Sequence, residues 1–438
     1  MNLRKEFFRC VIPSMFAFAL SGVYAIADGF FVGNALGDSA LAAINVAYPL
    51  TAFLQAAGTG LGMGGAVEYA ISLGTNDHTR GRQYFGMSLI MLVLSSIILT
   101  LIYLPAAPAI LQFFGASGDI QVLAEEYVLY ITYGAVFQIL GTGIVPFIRN
   151  MGSSIAAMLA MTAGFFINII LDYLFVWKYP LGMTGAAAAT VCGQAVTFLV
   201  CLICLFIKKE VPLFHFQGHK VSFVKNILKV GLSPFGLTFS PNITLILINK
   251  SAALTGGTLA VTYYAPVSYI SCIVLLLLQG VSDGCQPLLS LSYGGGNVQK
   301  TKQFRNMAYR FGLLTALFSF IVLFFAGRSV AELFGASGKI AGNAARILPV
   351  FLLGYLFVSI SRITTAYFYA TGKNMWAYIL IYGEVFFLFV LLLFLPKIAG
   401  ISGTWFSVPA SQLFAMMLSL LIINRQPEPY KHVTARAD

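Results

Sequence analysis

Charge is what this chain has least of. Asp, Glu, Lys and Arg make up only 9% of its 438 residues, where an ordinary soluble domain carries about a quarter. That excludes a large water-facing domain. Histidine is nearly absent as well: His78, His215, His219 and His432 are the only four. All of them fall outside the apolar runs, so neither a Ser/His pair nor a histidine metal cluster can form within those runs. The His215 and His219 pair has i, i+4 spacing but no further ligand nearby, and it reads as part of a solvated loop. No G-x-x-x-x-G-K-[ST] string occurs, so an ATP motor of that kind is absent and any work must draw on gradients. Six cysteines are present, and Cys201-Leu-Ile-Cys204 is formally C-x-x-C. It lies in an apolar run without a flanking charge and reads as small hydrophobic packing. Neither an enzyme, a cofactor nor a bound metal is expected.

Hydrophobic residues, in contrast, make up 59% of the chain. They come in stretches of roughly 20 or more, the length a helix needs to cross about 30 Å of hydrocarbon. Twelve spans are expected, near 11–33, 40–73, 83–112, 121–148, 154–178, 185–207, 226–251, 257–293, 304–333, 341–370, 375–396 and 400–424. The run Gly58-Thr-Gly60-Leu-Gly62-Met-Gly64-Gly65 looks like a dinucleotide fingerprint, but it sits inside a span and follows no strand. Small residues that let helix backbones approach explain it better.

The chain also repeats itself. FGASG occurs at Phe114–Gly118 and at Phe334–Gly338, an offset of 220 residues. Gly60 and Gly280, Gly64 and Gly284, Gly74 and Gly294, Gln83 and Gln303, Gly134 and Gly354, and Gly152 and Gly372 share that offset. Pro13 with Pro234, and Gly182 with Gly400, match after small shifts. The expected fold is therefore an all-α integral membrane protein of twelve transmembrane helices in two homologous six-helix lobes. The expected boundaries are 1–207 for the amino-terminal lobe, 208–225 for a cytoplasmic linker, 226–424 for the carboxyl-terminal lobe and 425–438 for a tail. Duplicated membrane halves point to a secondary transporter.

The net charge of +11 invites a nucleic-acid reading, but its placement opposes one. With loops assigned alternately to the two sides, 20 Lys and Arg fall on one side and 6 on the other, with Arg362 counted among the 20. The positive-inside rule then puts both termini in the cytoplasm. An even number of spans per half gives parallel repeats about an axis along the membrane normal. The basic and apolar amino terminus is expected to be a retained first span rather than a cleaved signal, because its apolar run continues past any cut site.

Five acids fall within spans: Asp28, Glu68, Asp172, Asp283 and Glu384. An ionised group at mid-membrane costs on the order of 2.5–3.5 kcal/mol, so each is a functional candidate. Asn168 and Asp172 are four residues apart and share a helix face, as do Tyr24 and Asp28. Such a face presents amide or phenol oxygen beside a carboxylate, which suits a proton or Na⁺.

At these residues the chain resembles a known family. Asp28-Gly-Phe-Phe-Val-Gly-Asn-Ala-Leu-Gly with Leu41-Ala-Ala-Ile-Asn-Val-Ala-Tyr-Pro-Leu50, Asn168-Ile-Ile-Leu-Asp172-Tyr-Leu-Phe175, Leu181-Gly-Met-Thr-Gly185-Ala-Ala-Ala-Ala-Thr190 and Gln286-Pro-Leu-Leu-Ser-Leu-Ser-Tyr-Gly294 are similar to motifs of the multidrug and toxic compound extrusion (MATE) family. The bacterial DinF-like, MepA-like branch is the nearest, and the likeness runs from Pro13 to about Asn424. It implies the family's V-shaped fold with a pseudo-twofold axis along the membrane normal. It also implies a cation site for H⁺ or Na⁺ at Asp28, Asn168, Asp172 and Thr190, with Pro13 as the hinge of the first helix. Two close carboxylates of this kind titrate as a coupled pair. The chain departs from the family at Tyr173, where proline is frequent. It also carries Asn249 and no acid in its seventh span, which leaves Asp283 for the substrate.

The implied function is multidrug efflux by alternating access, with lipophilic organic cations exchanged for H⁺ or Na⁺. Tyr24, Tyr263, Tyr264, Tyr269 and Asp283 are expected to line the substrate cavity, where aromatic faces and acids attract a flat cation. The expected setting is the bacterial inner (plasma) membrane, as a monomer, with the lipid bilayer and small organic cations as partners and no nucleic acid. The alternatives are a MATE-like flippase for a lipid-linked saccharide and an exporter of an endogenous metabolite. A flippase for pyrophosphate headgroups wants buried Arg or Lys, whereas the deep charges here are acidic.

Overall fold

The computed structural model describes residues 2–216, 220–333 and 338–425. The first four residues of the second FGASG copy (334–337), His219 and the tail beyond Arg425 lie outside the described residues. Among those described there is no strand. The helices are α1 (Leu3–Leu36), α2 (Asp38–Gly74), α3 (His78–Phe113), α4 (Gly118–Tyr133), α5 (Ala135–Asn150), α6 (Ser154–Asp172), α7 (Gly182–Lys208), α8 (Lys220–Gly294), α9 (Val298–Leu333), α10 (Gly338–Ala370) and α11 (Asn374–Arg425). Nine of these are long and apolar enough to span a membrane, and α4 with α5 makes a tenth span bent by 58°. Two of the nine are each broken into successive helices, α8 at Gly257 and α11 at Ala399–Gly400. The spans are therefore twelve among the described residues. Large apolar side chains such as Leu101, Phe206, Phe325 and Ile398 stand on the outer surface, where lipid rather than water suits them.

The stretch 121–148 is not the single helix expected. The break falls at Gly134, where a β-carbon would collide with the Val191 side chain of α7. Its repeat partner Gly354 lies within an unbroken α10, so the two halves differ here.

The duplication recurs in the backbone. Left-handed φ angles occur at Gly37 and Gly257, at Asn76 and Gly296, and at Gly152 and Gly372, all at the 220-residue offset. Gly182 and Gly400 repeat the pattern at 218. Seven of these eight positions are glycine, because a β-carbon disfavours that region. The caps repeat too. The side chain of Asp77 accepts from Arg80 N–H at the start of α3, and Asn297 accepts from Lys300 N–H at the start of α9.

The compact units do not coincide with the sequence halves. One comprises Met1–Ala19 with Ser240–Asp438, the other Leu20–Phe239. The first half of α1 thus belongs with the carboxyl-terminal helices, and the first half of α8 with the amino-terminal ones. Glycines in the second helix of each repeat explain the exchange. In the Leu20–Phe239 unit, a β-carbon on Gly60 would sit 3.0 Å from the Gly231 carbonyl, and one on Gly64 would strike the Ile227 carbonyl. In the other unit, a β-carbon on Gly280 would lie 2.5 Å from Met15 Cα, and one on Gly284 2.7 Å from Val11 Cα. Each second helix therefore presses its glycine ridge against the first helix of the opposite repeat. The remaining glycines of the run face other neighbours: β-carbons on Gly58 and Gly62 would collide with Ile139, Thr142 and Gly143 of α5, and one on Gly65 with Ser88 of α3 and Phe147 of α5. The run is a two-sided packing device.

Residues 211–215 of the linker are bonded to α3. Leu213 N–H donates to the Arg82 carbonyl at 3.0 Å, Arg82 Nε to the Val211 carbonyl at 2.7 Å, and Gln83 Nε2 to the His215 carbonyl at 2.8 Å. Gly86 leaves space for the Leu213 backbone.

Candidate functional site

The Leu20–Phe239 unit brings three helices together around two acids. Asp28 is on the second half of α1, Asn168 and Asp172 are on α6, and Thr190 is on α7. Asp28, Asn168 and Asp172 are all buried. The Asp28 and Asp172 carboxyls lie beside each other. Yet Asp28 Oδ1, both Asp172 oxygens, Asn168 Oδ1 and Nδ2 and Thr190 Oγ1 have no hydrogen-bond partner. Carboxylates only accept, so two of them face to face cannot bond without a proton or cation between them. Buried polar atoms are normally paired. Six orphans on four side chains in one place mark a donor set built for something other than the protein's own groups.

Local structure brings the set together. Gly164 of α6 and Gly193 of α7 meet closely enough that a β-carbon on Gly193 would lie 2.8 Å from the Gly164 carbonyl and 2.9 Å from Asn168 Cβ. This approach places Asn168 against α7, the helix that carries Thr190. A small cavity with space for about one water opens there, lined by Tyr24, Phe165, Asn168, Thr190, Gln194 and Thr197 with the two glycines. Tyr24 stacks on Phe165 at 5.1 Å. Asp172 ends α6 as the chain widens into a π-helical turn, Tyr173–Lys178. There Tyr173 N–H bonds to the Ile169 and Ile170 carbonyls, which proline could not do. The departure from the family pattern thus coincides with an irregular turn beside a site acid, where such turns are common.

Tyr127 of α4 was not foreseen. It is buried beside Asp28, Asp172 and Thr190, with Tyr48 of α2 near it. The Thr190 hydroxyl sits next to the Tyr24 and Tyr127 phenols without a close bond to either. Within α4 the residues one helical turn from Tyr127 are Leu123, Ala124, Tyr130 and Ile131, none of them a carboxyl or amide that would have singled it out.

The remaining expected residues belong to the other unit. Pro13 is on the first half of α1, where its missing N–H leaves the Arg9 carbonyl without a helical donor. Asp283 is buried in α8 and accepts from Gln279 Nε2 at 2.7 Å. Tyr264 lies in the core, stacked on Trp405 at 5.5 Å and packed on Phe351 at 5.4 Å. Tyr263 is half-buried and Tyr269 exposed. Arg362 is also placed differently from its assignment to a loop. It lies eight residues before the end of α10, about 12 Å along the helix at 1.5 Å per residue. Its Nη1 donates to Gln279 Oε1 at 2.6 Å.

Twelve apolar spans among the described residues, built from two repeats around a buried pair of unsatisfied acids, have the form of a membrane transporter. The MatE family model matches residues 13–174 and again 235–395, one match per repeat, and the chain belongs to that family, the MATE multidrug efflux transporters. Among curated relatives, the multidrug export protein MepA of Staphylococcus haemolyticus is 25% identical over 414 residues, covering 94% of this chain and 91% of its own. MepA of Staphylococcus aureus strain MRSA252 is 23% identical over the same shares. Among solved structures, a MATE transporter in complex with MaL6 has a TM-score of 0.89 and 25% identity, covering 99% of this chain and 97% of its own. An outward-facing multidrug resistance MATE transporter of the MOP superfamily gives the same values. A MOP superfamily transporter from Pyrococcus furiosus, with 24% identity and a TM-score of 0.90 over 100% of this chain and 97% of its own, shares the fold.

Proposed function

We propose that this transporter exports lipophilic organic cations in exchange for H⁺ or Na⁺ held by Asp28, Asn168, Asp172 and Thr190. The carrying observation is the set of six unpartnered oxygen and nitrogen atoms around two adjoining buried carboxyls. A proton shared between the carboxyls, or Na⁺ among their oxygens and those of Asn168 and Thr190, removes the like-charge conflict. Loading and unloading then favour different packings of α1 and α6, the differential binding that any coupled switch requires. The same α1 carries Pro13, fifteen residues before Asp28, so bending at the proline is a direct route for the site to act on the rest of the chain. Cargo and ion compete: the ion enters from outside and displaces cargo outward, and ion release to the cytoplasm readies the transporter for cargo again.

The expected setting is the bacterial plasma membrane with both termini cytoplasmic, which rests on the placement of Lys and Arg. A monomer suffices, since all four ligands come from one chain. Export of a lipid-linked saccharide or an endogenous metabolite is the competing reading. It gains little from Arg362, whose guanidinium is already bonded to Gln279.

Competition in purified protein tests this function. Tetraphenylphosphonium bound to the wild type should be displaced by Na⁺ or by acidification, and bound probe in Asp28→Asn should resist both. Equal displacement in the two proteins would separate the acids from coupling.

A further inference from the structure

A second set of intramembrane charges lies wholly in the unit formed by Met1–Ala19 and Ser240–Asp438. Arg362 of α10 donates to Gln279 Oε1 at 2.6 Å, and Gln279 Nε2 donates to Asp283 Oδ1 at 2.7 Å. Tyr369 and Ser282 hydroxyls add longer donations to the same oxygen, each at 3.4 Å. Asp283 is thus surrounded by donors, which suits it as an ion, and the Gln279 side chain links it to a guanidinium that stays protonated. The two charges cancel.

Glu384 of α11 is left over. It faces Arg362 across the α10–α11 packing but makes no hydrogen bond or ion pair among the described residues. It is half-buried, and Cys272, which also faces Arg362, is exposed, so this pocket of charge has access to the exterior of the packed helices. Two acids against one permanent cation leave one negative charge at membrane depth, where an uncompensated charge is disfavoured. The groups facing Glu384 are Arg362 on α10 and, through Arg362, Asp283 and Cys272 on α8. On its own helix Tyr382 and Tyr378 precede it, and the nearest basic residue, Lys397, is more than three turns further on.

We propose that Glu384 is a second proton-binding site of this transporter, with Arg362 as its fixed counter-ion, loaded separately from the Asp28–Asp172 pair. Arg362 fills the role that a bound cation fills in the other unit. Through Gln279 it is linked to Asp283 and balances that charge, which leaves Glu384 as the exchangeable carboxylate of the cluster, so the cluster takes up one proton and does not need a cage of neutral oxygens for Na⁺. The site goes beyond the coupling pair and does not depend on whether that pair uses H⁺ or Na⁺.

The test is infrared difference spectroscopy of the full-length protein in lipid films, titrated with H⁺ alone and read at the C=O stretch of protonated carboxyl groups. The Asp28→Asn/Asp172→Asn protein should retain a titrating band, and Glu384→Gln should remove one carboxyl from the wild-type signal. Arg362→Gln should keep the Glu384 band but move its midpoint. No residual band in the double variant, or a residual band that survives Glu384→Gln, overturns the site; an unmoved midpoint in Arg362→Gln overturns the counter-ion role. Glutamine replaces glutamate at almost equal volume, and an unchanged thermal unfolding midpoint for Glu384→Gln shows that a lost band reflects chemistry rather than misfolding. Because the readout is protonation and not transport, it stands even if dye efflux by the amino-terminal pair fails.

Discussion

Replacing Asn168 with leucine separates the demands of binding from those of folding. Leucine branches at Cγ as asparagine does, so the tight approach of Gly193 to Asn168 Cβ, 2.9 Å from an added β-carbon, is unchanged. What changes is polarity. Both Asn168 side-chain polar atoms are buried without partners, and each such atom costs on the order of 1–3 kcal/mol. A water in the adjoining cavity would relieve part of this, which puts the expected gain nearer the lower end, about 1–2 kcal/mol. Asn168→Leu should therefore unfold at a higher temperature than the wild type when Na⁺ is absent and pH is neutral. Added Na⁺ should stabilise the wild type by RT ln(1 + [Na⁺]/Kd), about 2.7 kcal/mol at a hundredfold excess over Kd, and the variant much less. Thermal unfolding in detergent, with and without Na⁺, reads both effects. A variant that is less stable without the ion, yet still gains fully from it, would refute the view that Asn168 is held unsatisfied for a ligand.

Other expectations follow from the same geometry. Asp28→Asn and Asp172→Asn should each abolish coupled export with protein still in the membrane, and the double variant should lose no more than either alone, since groups acting as one unit are non-additive; additive losses in dye efflux would argue for separate roles. Protons and Na⁺ compete for the same oxygens, so Na⁺-dependent stabilisation should shrink as pH falls and return as it rises; a pH-independent Na⁺ effect in thermal unfolding would place Na⁺ elsewhere. Gly62→Ala should cost about 1–3 kcal/mol or more through overpacking, because its β-carbon would strike the Gly143 backbone, whereas Gly342→Ala meets nothing within 4 Å. Comparable monodisperse yields of the two variants by gel filtration would contradict the packing account.

Much of this was readable in the residues. Helix count follows from hydrophobic length, and duplication from glycines such as Gly60 and Gly280, which keep their spacing because a backbone lies against them. Asp28, Asn168, Asp172 and Thr190 lie on α1, α6 and α7, and the structure collects them in one unit. What could not be read was partnership. Glycine spacing reveals a close contact but not that Gly60 meets α8 while Gly280 meets α1, so the exchange of first helices was invisible. Tyr127 and Tyr48 enter the site through three-dimensional packing alone. Arg362 lies close enough in sequence to the end of its helix to be read as a loop charge; only its bond to Gln279 shows it inside. Aromatic composition likewise carries no sign that Tyr264 stacks on Trp405 within the core. The bend at Gly134 lacked a signal because its counterpart Gly354 occupies a continuous helix.

The most direct test of the coupling claim is ethidium movement in proteoliposomes under an imposed inward proton gradient, repeated with Na⁺ in place of H⁺. Gradient-driven transport by the wild type that vanishes in Asp28→Asn is the predicted result. Transport that persists in both Asp28→Asn and Asp172→Asn, or no movement under either gradient, would contradict the account.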